Sequence, residues 1–346
     1  MAAILNLALA TDKFAEGSES RELMKIFGHV SAVFTPVDED GKLDFTNLEK
    51  MAARLQEWGV DNVMVGGTTG ESLSFSYEER MECVDAWLKV APQYGLNVYV
   101  HAGMDSVQQA TRYVQELAIR DGVKGIFAMP PVYFKPGSID NLVDTMAPIA
   151  GAAPDLPFWY YHFPAMTGVD FNMFQFTEAI DESGKIPNFM GVKFTNEILM
   201  DFNSIGHYKN GKYNMLMGRD EILTSALATG VCDGDVSSTV NFLTYNLEAT
   251  NAWNDGHMKE AQELQLKTVG VIETWVKMMG SLNVQKSILK MTGIDFGPLR
   301  LPQVNMSKDQ EIELGTALYK LGLNITDEYI KPDVRAPFED APVFLQ

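Results

Sequence analysis

The chain predicts an α/β protein: a (β/α)8 barrel, or TIM barrel, with additional C-terminal helices. Two observations carry this expectation. From His29 onward a short strand-like run is followed by an amphipathic helical pattern, and the pair recurs through eight units. The strand-like runs are also near-continuously apolar, as parallel strands are when helices cover the sheet and bury both faces.

The predicted strands occupy residues 29–36, 62–67, 97–103, 125–130, 158–162, 189–195, 214–218 and 233–238. Helical patterns lie between them at 44–57, 76–90, 106–120, 141–150, 172–181, 221–228 and 242–253. Helix starts agree with this division. Ser76 is followed three residues later by Glu79, a capping-box spacing that satisfies two otherwise free amides. The barrel is expected over residues 28–253, which suits the fold's usual size. Residues 1–27 read as an N-terminal extension, and 254–346 as further helices (258–279, 284–291 and 308–321) with an irregular, proline-punctuated tail packed on the barrel.

The 346 residues include 46 acidic and 27 basic side chains, a formal net charge of −19. Such a surface repels phosphates, which excludes nucleic acid and anionic membranes as expected partners. An anionic substrate must be captured by local donors. Cys83 and Cys232 lie far apart in sequence and outside metal-ligand spacing, so they read as buried thiols of a reducing, cytoplasmic compartment. His29, His101, His162, His207 and His257 never occur at ligand spacing, which argues against a zinc-dependent enzyme. No run reaches the ~18 apolar residues of a membrane span. The apolar start, ending in Ala8-Leu9-Ala10, resembles a signal peptide but lacks its basic flank.

In such barrels chemistry sits where strands end and βα loops begin. Six chemically unusual segments fall there: GGTTGE (66–71), VYFKP (132–136), Tyr161-His162, Lys193 to Thr195, GRDE (218–221) and SST (237–239). A strand lysine more often carries its charge out to water, and a strand tyrosine is more often core. Lys193, however, sits within the apolar run FMGVKFT, where lost hydration lowers an ammonium's pKa and frees a nucleophilic amine. Such an amine forms a Schiff base with a ketone, and Tyr161 at the preceding strand end can move the proton that carbon–carbon cleavage needs. Thr68 and Thr69, at a glycine-rich strand-to-helix turn, can hold a carboxylate. Amine and cradle together specify a 2-keto acid and a class I aldolase without an external cofactor. Asp220 and Glu221 are suited to accept from sugar hydroxyls, or equally to stabilise a helix N-terminus.

GGTTGE, YYHFPAMTG and GVKFT, in this order and spacing, resemble the N-acetylneuraminate lyase and dihydrodipicolinate synthase family of pyruvate-dependent aldolases. The resemblance runs from about His29 past Arg300. With GRDE and GPLRLP (297–302) it is greatest to the animal-type N-acetylneuraminate lyases, which cleave sialic acid to N-acetylmannosamine and pyruvate. It implies that Lys193 forms the Schiff base, Tyr161 shuttles protons, and Thr68 and Thr69 hold the pyruvate carboxylate. It further implies that Tyr133 reaches a neighbouring subunit's site in a homotetramer, and that Thr195, Gly218, Asp220, Glu221 and Ser238 hold the sugar tail.

Subfamily rests on an absence. Synthases of this family carry an arginine two residues after the proline that follows the fifth strand; here Ala165 and Met166 follow Pro164, so an amino acid aldehyde lacks its anchor. The alternatives are an aldolase for another 2-keto-3-deoxy sugar acid, a dihydrodipicolinate synthase, or a non-catalytic sugar-acid-binding barrel. The eighth strand, VCDGDVSSTVN, departs from the lyase pattern: Val240 replaces a tyrosine and the segment is one residue longer. Ser237 and Ser238 are therefore both candidates, and Asp233 and Asp235 are expected to bear on sugar preference.

Overall fold

The computed structural model describes residues 24–279 and 284–334. Eight strands close in sequence order into a parallel barrel: β1 (Gly28–Ala32), β2 (Asn62–Val65), β3 (Asn97–His101), β4 (Val123–Ala128), β5 (Phe158–His162), β6 (Phe189–Phe194), β7 (Asn214–Met217) and β8 (Gly234–Ser237). All eight were expected, most of them one to three residues longer. The excess lies mainly at the C-terminal ends, where the apolar run continues into the βα loop.

The outer layer comprises α1 (Leu48–Glu57), α2 (Tyr77–Val90), α3 (Val107–Ala118), α4 (Ile139–Gly151), the single turn α5 (Pro164–Thr167), α6 (Met173–Ser183), α7 (Leu199–His207), α8 (Leu223–Leu227) and α9 (Tyr245–Asn254). Beyond it come α10 (Met258–Met279), α11 (Gln285–Met291) and α12 (Lys308–Lys320). The capping box at α2 forms: Glu79 N donates to Ser76 Oγ and Ser76 N to the Glu79 carboxylate. Helix α7 fits the expected alternation, but no bounds were assigned to it from the sequence. Its N-cap, Ile198, has no side chain able to cap, so the sequence lacks a start signal there.

Side chains on a strand alternate between faces. Val30, Ala32, Met64, Tyr99, Phe127, Trp159, Leu216 and Val236 fill the barrel interior. Residues one step out of phase, among them Tyr160, Val192, Phe194 and Met217, pack against the helices. Residues 24–27, which the sequence assigned to the extension, lie at the N-terminal end of the barrel. Ile26 is buried and joins the interior cluster. Its N–H donates to Asn214 Oδ1 (3.0 Å) and its carbonyl accepts from Asn214 Nδ2 (2.9 Å), while Trp159 Nε1 donates to the same Oδ1 (2.9 Å). This end is a packed floor.

Helix α10 grips the opposite end. Gln265 Nε2 donates to the Asp220 carbonyl (2.9 Å), Gln265 Oε1 accepts from Thr224 N (2.9 Å), and Thr268 Oγ1 donates to Asn246 Oδ1 (2.9 Å). The loop before α8 is thereby fixed by a helix outside the barrel.

Candidate active site

A cavity open to solvent occupies the C-terminal mouth of the barrel, with Lys193 and Tyr161 in its wall; its empty space, the part open to solvent included, is about 780 Å³. The two are register partners on adjacent strands, and both point inward because they are in phase with Trp159 and Leu216. Lys193 is only 3% exposed, and its Nζ lies 3.8 Å from the centroid of the Tyr161 ring. Burial lowers its pKa to about 7, against the opposing pull of Asp220 and Asp235. A neutral amine is therefore present in quantity near neutral pH.

Burial pushes the Tyr161 phenol the other way, up to about 12, so it is protonated at rest. Its hydroxyl lies 3.2 Å from Thr68 Oγ1. Thr195 Oγ1 also favours the phenolate by proximity, yet it is buried without a hydrogen-bond partner of good geometry. That leaves its hydroxyl available to a substrate.

The turn after β2 brings Thr68 and Thr69 to the same wall. Glu71 N donates to the Thr68 carbonyl (3.0 Å), and Thr35 Oγ1 donates to the Gly70 carbonyl (2.6 Å). Gly66 is pinned from β3: His101 Nδ1 lies 2.9 Å from its carbonyl, while Met129 N donates to His101 Nε2 (3.3 Å). One ring nitrogen donates and the other accepts, which requires neutral imidazole, and burial with nearby Arg80 holds the pKa down at about 3. His101 was not singled out from the sequence. A lone strand histidine has no distinctive spacing.

An adjoining wall holds Thr195, Gly218, Asp220, Glu221 and Ser238, with Arg219 and Thr239. A Cβ on Gly218 would overlap Thr195 Oγ1, so glycine is needed for β6 and β7 to end this close together. Asp220 Oδ2 accepts from Ser238 N (3.2 Å), Ser238 Oγ (3.3 Å) and Thr239 N (3.1 Å), and Oδ1 from Asn246 Nδ2 (3.4 Å). Burial, then the charge of Asp235, raise its pKa to about 6. Arg219 pairs with Glu197 (2.5 Å) and Glu221 (3.6 Å).

Ser238 rather than Ser237 faces the cavity, since Ser238 is in phase with inward Val236. Ser237 Oγ turns outward and accepts from Val240 N (3.1 Å). The expectation for Asp233 and Asp235 is corrected. Asp233 precedes β8 at the floor, where its Oδ2 accepts from Asn214 Nδ2 and Met215 N, both at 2.9 Å. Asp235 is out of phase and faces His29, whose Nδ1 stands 2.5 Å from its Oδ1, off the line of a good hydrogen bond. Burial by itself lowers the His29 pKa, but the charge and hydrogen-bonding pull of Asp235, joined by the charge of Asp220, together raise it. Neither acid lines the cavity.

Tyr133 is not brought to this cavity. It is 78% exposed, edge-on to Phe134, with its main-chain N–H on Asp105 Oδ1 (3.1 Å). His162 faces the helices beside Phe194, with Nε2 3.2 Å from Asn196 Nδ2. Met166 is exposed and not part of the lining.

The sequence did not anticipate a third wall. Ile272, Trp275, Gln285, Leu299 and Gln303, all beyond the barrel, line the cavity beside Glu71. They come from segments whose distance in sequence hides their proximity. Among the described residues no cluster of three or more His, Cys, Asp or Glu could hold a metal ion, and no helix is long and apolar enough to cross a membrane.

Comparison with known proteins agrees with this fold. The mouse N-acetylneuraminate lyase is 34% identical over 282 residues, 80% of this chain and 87% of the relative. The human N-acetylneuraminate lyase is 34% identical over 289 residues, 82% of this chain and 89% of the relative. Among solved structures, the N-acetylneuraminate lyase of Aliivibrio salmonicida superposes with a TM-score of 0.81 at 30% identity, covering 87% of this chain and 98% of that one. A dihydrodipicolinate synthase from Cyanidioschyzon merolae with lysine bound gives 0.78 at 27% identity, covering 86% and 99%. The model of the dihydrodipicolinate synthetase family matches residues 25–321, a span that contains the cradle turn, the buried lysine and the phenol, and the chain belongs to that family.

Proposed function

We propose that this protein is a Schiff-base aldolase that cleaves N-acetylneuraminate reversibly to N-acetylmannosamine and pyruvate. The observation that carries this is the buried Lys193 amine 3.8 Å from the Tyr161 ring, with the phenol 3.2 Å from the Thr68 hydroxyl. A nucleophile, a proton carrier and a carboxylate cradle line one cavity, and an adjoining polar wall suits a polyhydroxy tail. The similarity to animal and bacterial N-acetylneuraminate lyases supports the substrate.

In this reading the neutral Lys193 amine adds to the C2 ketone of the open-chain sugar acid. Tyr161 gives its proton to the departing hydroxyl of the carbinolamine, leaving water, an iminium and a phenolate steadied by Thr68. The phenolate takes the C4 hydroxyl proton, the C3–C4 bond breaks, and its electron pair moves onto the iminium to give an enamine. Tyr161 returns the proton to C3, and water releases pyruvate. The lysine supplies the covalent chemistry itself, so no external cofactor enters.

The reading extends to a homotetramer in a reducing, cytoplasmic setting. There Tyr133 enters a neighbouring copy's cavity, and the Cys83 and Cys232 thiols, both pushed up to about 12 by burial, stay unreactive. The test is borohydride reduction with pyruvate followed by peptide mass mapping. The expected adduct is on Lys193, and Lys193→Ala should lose both adduct and turnover. Side-by-side assay of sialic acid and other 2-keto-3-deoxy sugar acids decides the tail; preference for one of the others would replace the named substrate.

A further inference from the structure

Glu71 ends the GGTTGE turn in an unusual state. It is 6% exposed and left-handed (φ 53°, ψ 28°), a conformation few residues other than glycine adopt. Its carboxylate is fully engaged, and by groups from one distant part of the chain. Oε1 accepts from Lys286 Nζ (3.0 Å), while Oε2 accepts from the main-chain N–H of Arg300 (3.0 Å) and from Gln303 Nε2 (3.1 Å). Lys286 donates a second bond to the Pro298 carbonyl (2.9 Å).

The donors are themselves fixed. The Arg300 guanidinium is held by the Glu79 carboxylate and by the Gly41 carbonyl, and it lies 4.0 Å from the centroid of the Phe75 ring. The Lys286–Glu71 side chains are only 1% and 2% exposed. A buried ion pair of this kind adds little stability over a well-packed apolar pair, because desolvation cancels much of the attraction. What it does supply is direction: three donors at fixed places leave a carboxylate one position.

That position governs the cradle. Glu71 N donates to the Thr68 carbonyl (3.0 Å), and Thr68 Oγ1 stands 3.2 Å from the Tyr161 phenol. A continuous chain of bonds thus runs from α11 and the 298–303 segment, through Glu71, to the group that meets the proton carrier. We propose that Glu71 is a positioning residue for the keto-acid carboxylate, clamped by Lys286, Gln303 and the Arg300 amide so that Thr68 and Thr69 stand at fixed places beside Lys193. The C-terminal helices then complete the pyruvate end of the site. This inference rests on the aldolase reading above and assigns a further part of the same site.

The test uses the full-length enzyme with Gln303→Leu and Lys286→Met. The concentration of pyruvate giving half-maximal borohydride adduct is measured, with the KM for N-acetylmannosamine in the condensation direction and Tm as companions. Gln303 is only half-buried, so its substitution keeps the test open if loss of the buried lysine prevents folding. The expected result is a rise of between about 10- and 100-fold in half-saturating pyruvate, the order that a misplaced positioning contact costs, with the sugar KM nearly unchanged. General loosening of the barrel would move both constants together, so a parallel rise overturns the clamp. Unchanged half-saturation in folded variants overturns it as well, while the aldolase reading survives. Failure of the wild-type enzyme to trap pyruvate at all overturns both.

Discussion

Lys193 differs from the chain's surface lysines in what surrounds it rather than in what it is. Desolvation brings its pKa to about 7, and Asp220 and Asp235 keep it from falling further. In the proposed mechanism the neutral amine is the nucleophile, so adduct formation with pyruvate should fall about tenfold per pH unit below that value and level off above it. A trapping rate still climbing beyond about pH 9 would mean an ordinary lysine pKa. Tyr161 is matched in the opposite sense. Its pKa of about 12 keeps the phenol protonated at rest, as the proposed proton transfer to the carbinolamine requires. Tyr161→Phe should slow turnover by about 10²–10⁴-fold while adduct with pyruvate is still detectable. Full turnover in that variant would remove the phenol from the mechanism.

Among the elements, the ends of β6 and β7 are set by contact. Gly218 lets Thr195 Oγ1 pack against its Cα, and the Thr195 hydroxyl remains without a partner inside the protein. Gly218→Ala should push that hydroxyl aside and lower kcat/KM for sialic acid by about 5- to 30-fold, the worth of one misplaced hydrogen bond. Measuring pyruvate adduct formation in the same variant locates the damage: an equal loss there would place it at Lys193 instead. Element positions were largely legible in the sequence because their signals are local. The capping box at Ser76 and Glu79 is contained in four residues and forms as expected. The bounds of helix α7 were not legible, since its Ile198 N-cap gives no signal. Asp201 within it caps a different helix, accepting from Met173 N (2.7 Å) and Phe174 N (2.9 Å) at the start of α6.

Across the whole molecule the two ends of the barrel have separate duties. The floor is held by Asn214, which joins Ile26, Trp159 and Asp233, while Lys193 stands at the mouth. Asn214→Leu would strand the buried Ile26 N–H and Trp159 Nε1 without acceptors. Urea unfolding should show a loss of about 2–6 kcal/mol, from two buried donors at about 1–3 kcal/mol each, with kcat within about twofold of wild type. A collapse in kcat at unchanged stability would contradict this division, which barrels of this type show between their stability and active-site faces.

The order of eight strands, and the candidacy of Lys193 and of the turn at Thr68 and Thr69, came from the sequence alone, because apolar runs, turn glycines and a lysine inside a strand are features of a few adjacent residues. Tertiary structure decided the rest. Alternation relates Ser237 to Ser238 and Asp235 to Val236 within one strand, but which set faces inward depends on register with β1 and β7. Hence Ser238 entered the site, and Asp235 left it for His29. The clamp on Glu71 joins residues 215 positions apart, through a lysine that in sequence resembles any other on an amphipathic helix. Contacts at that separation exist only once the barrel has closed and the C-terminal helices have docked against its mouth.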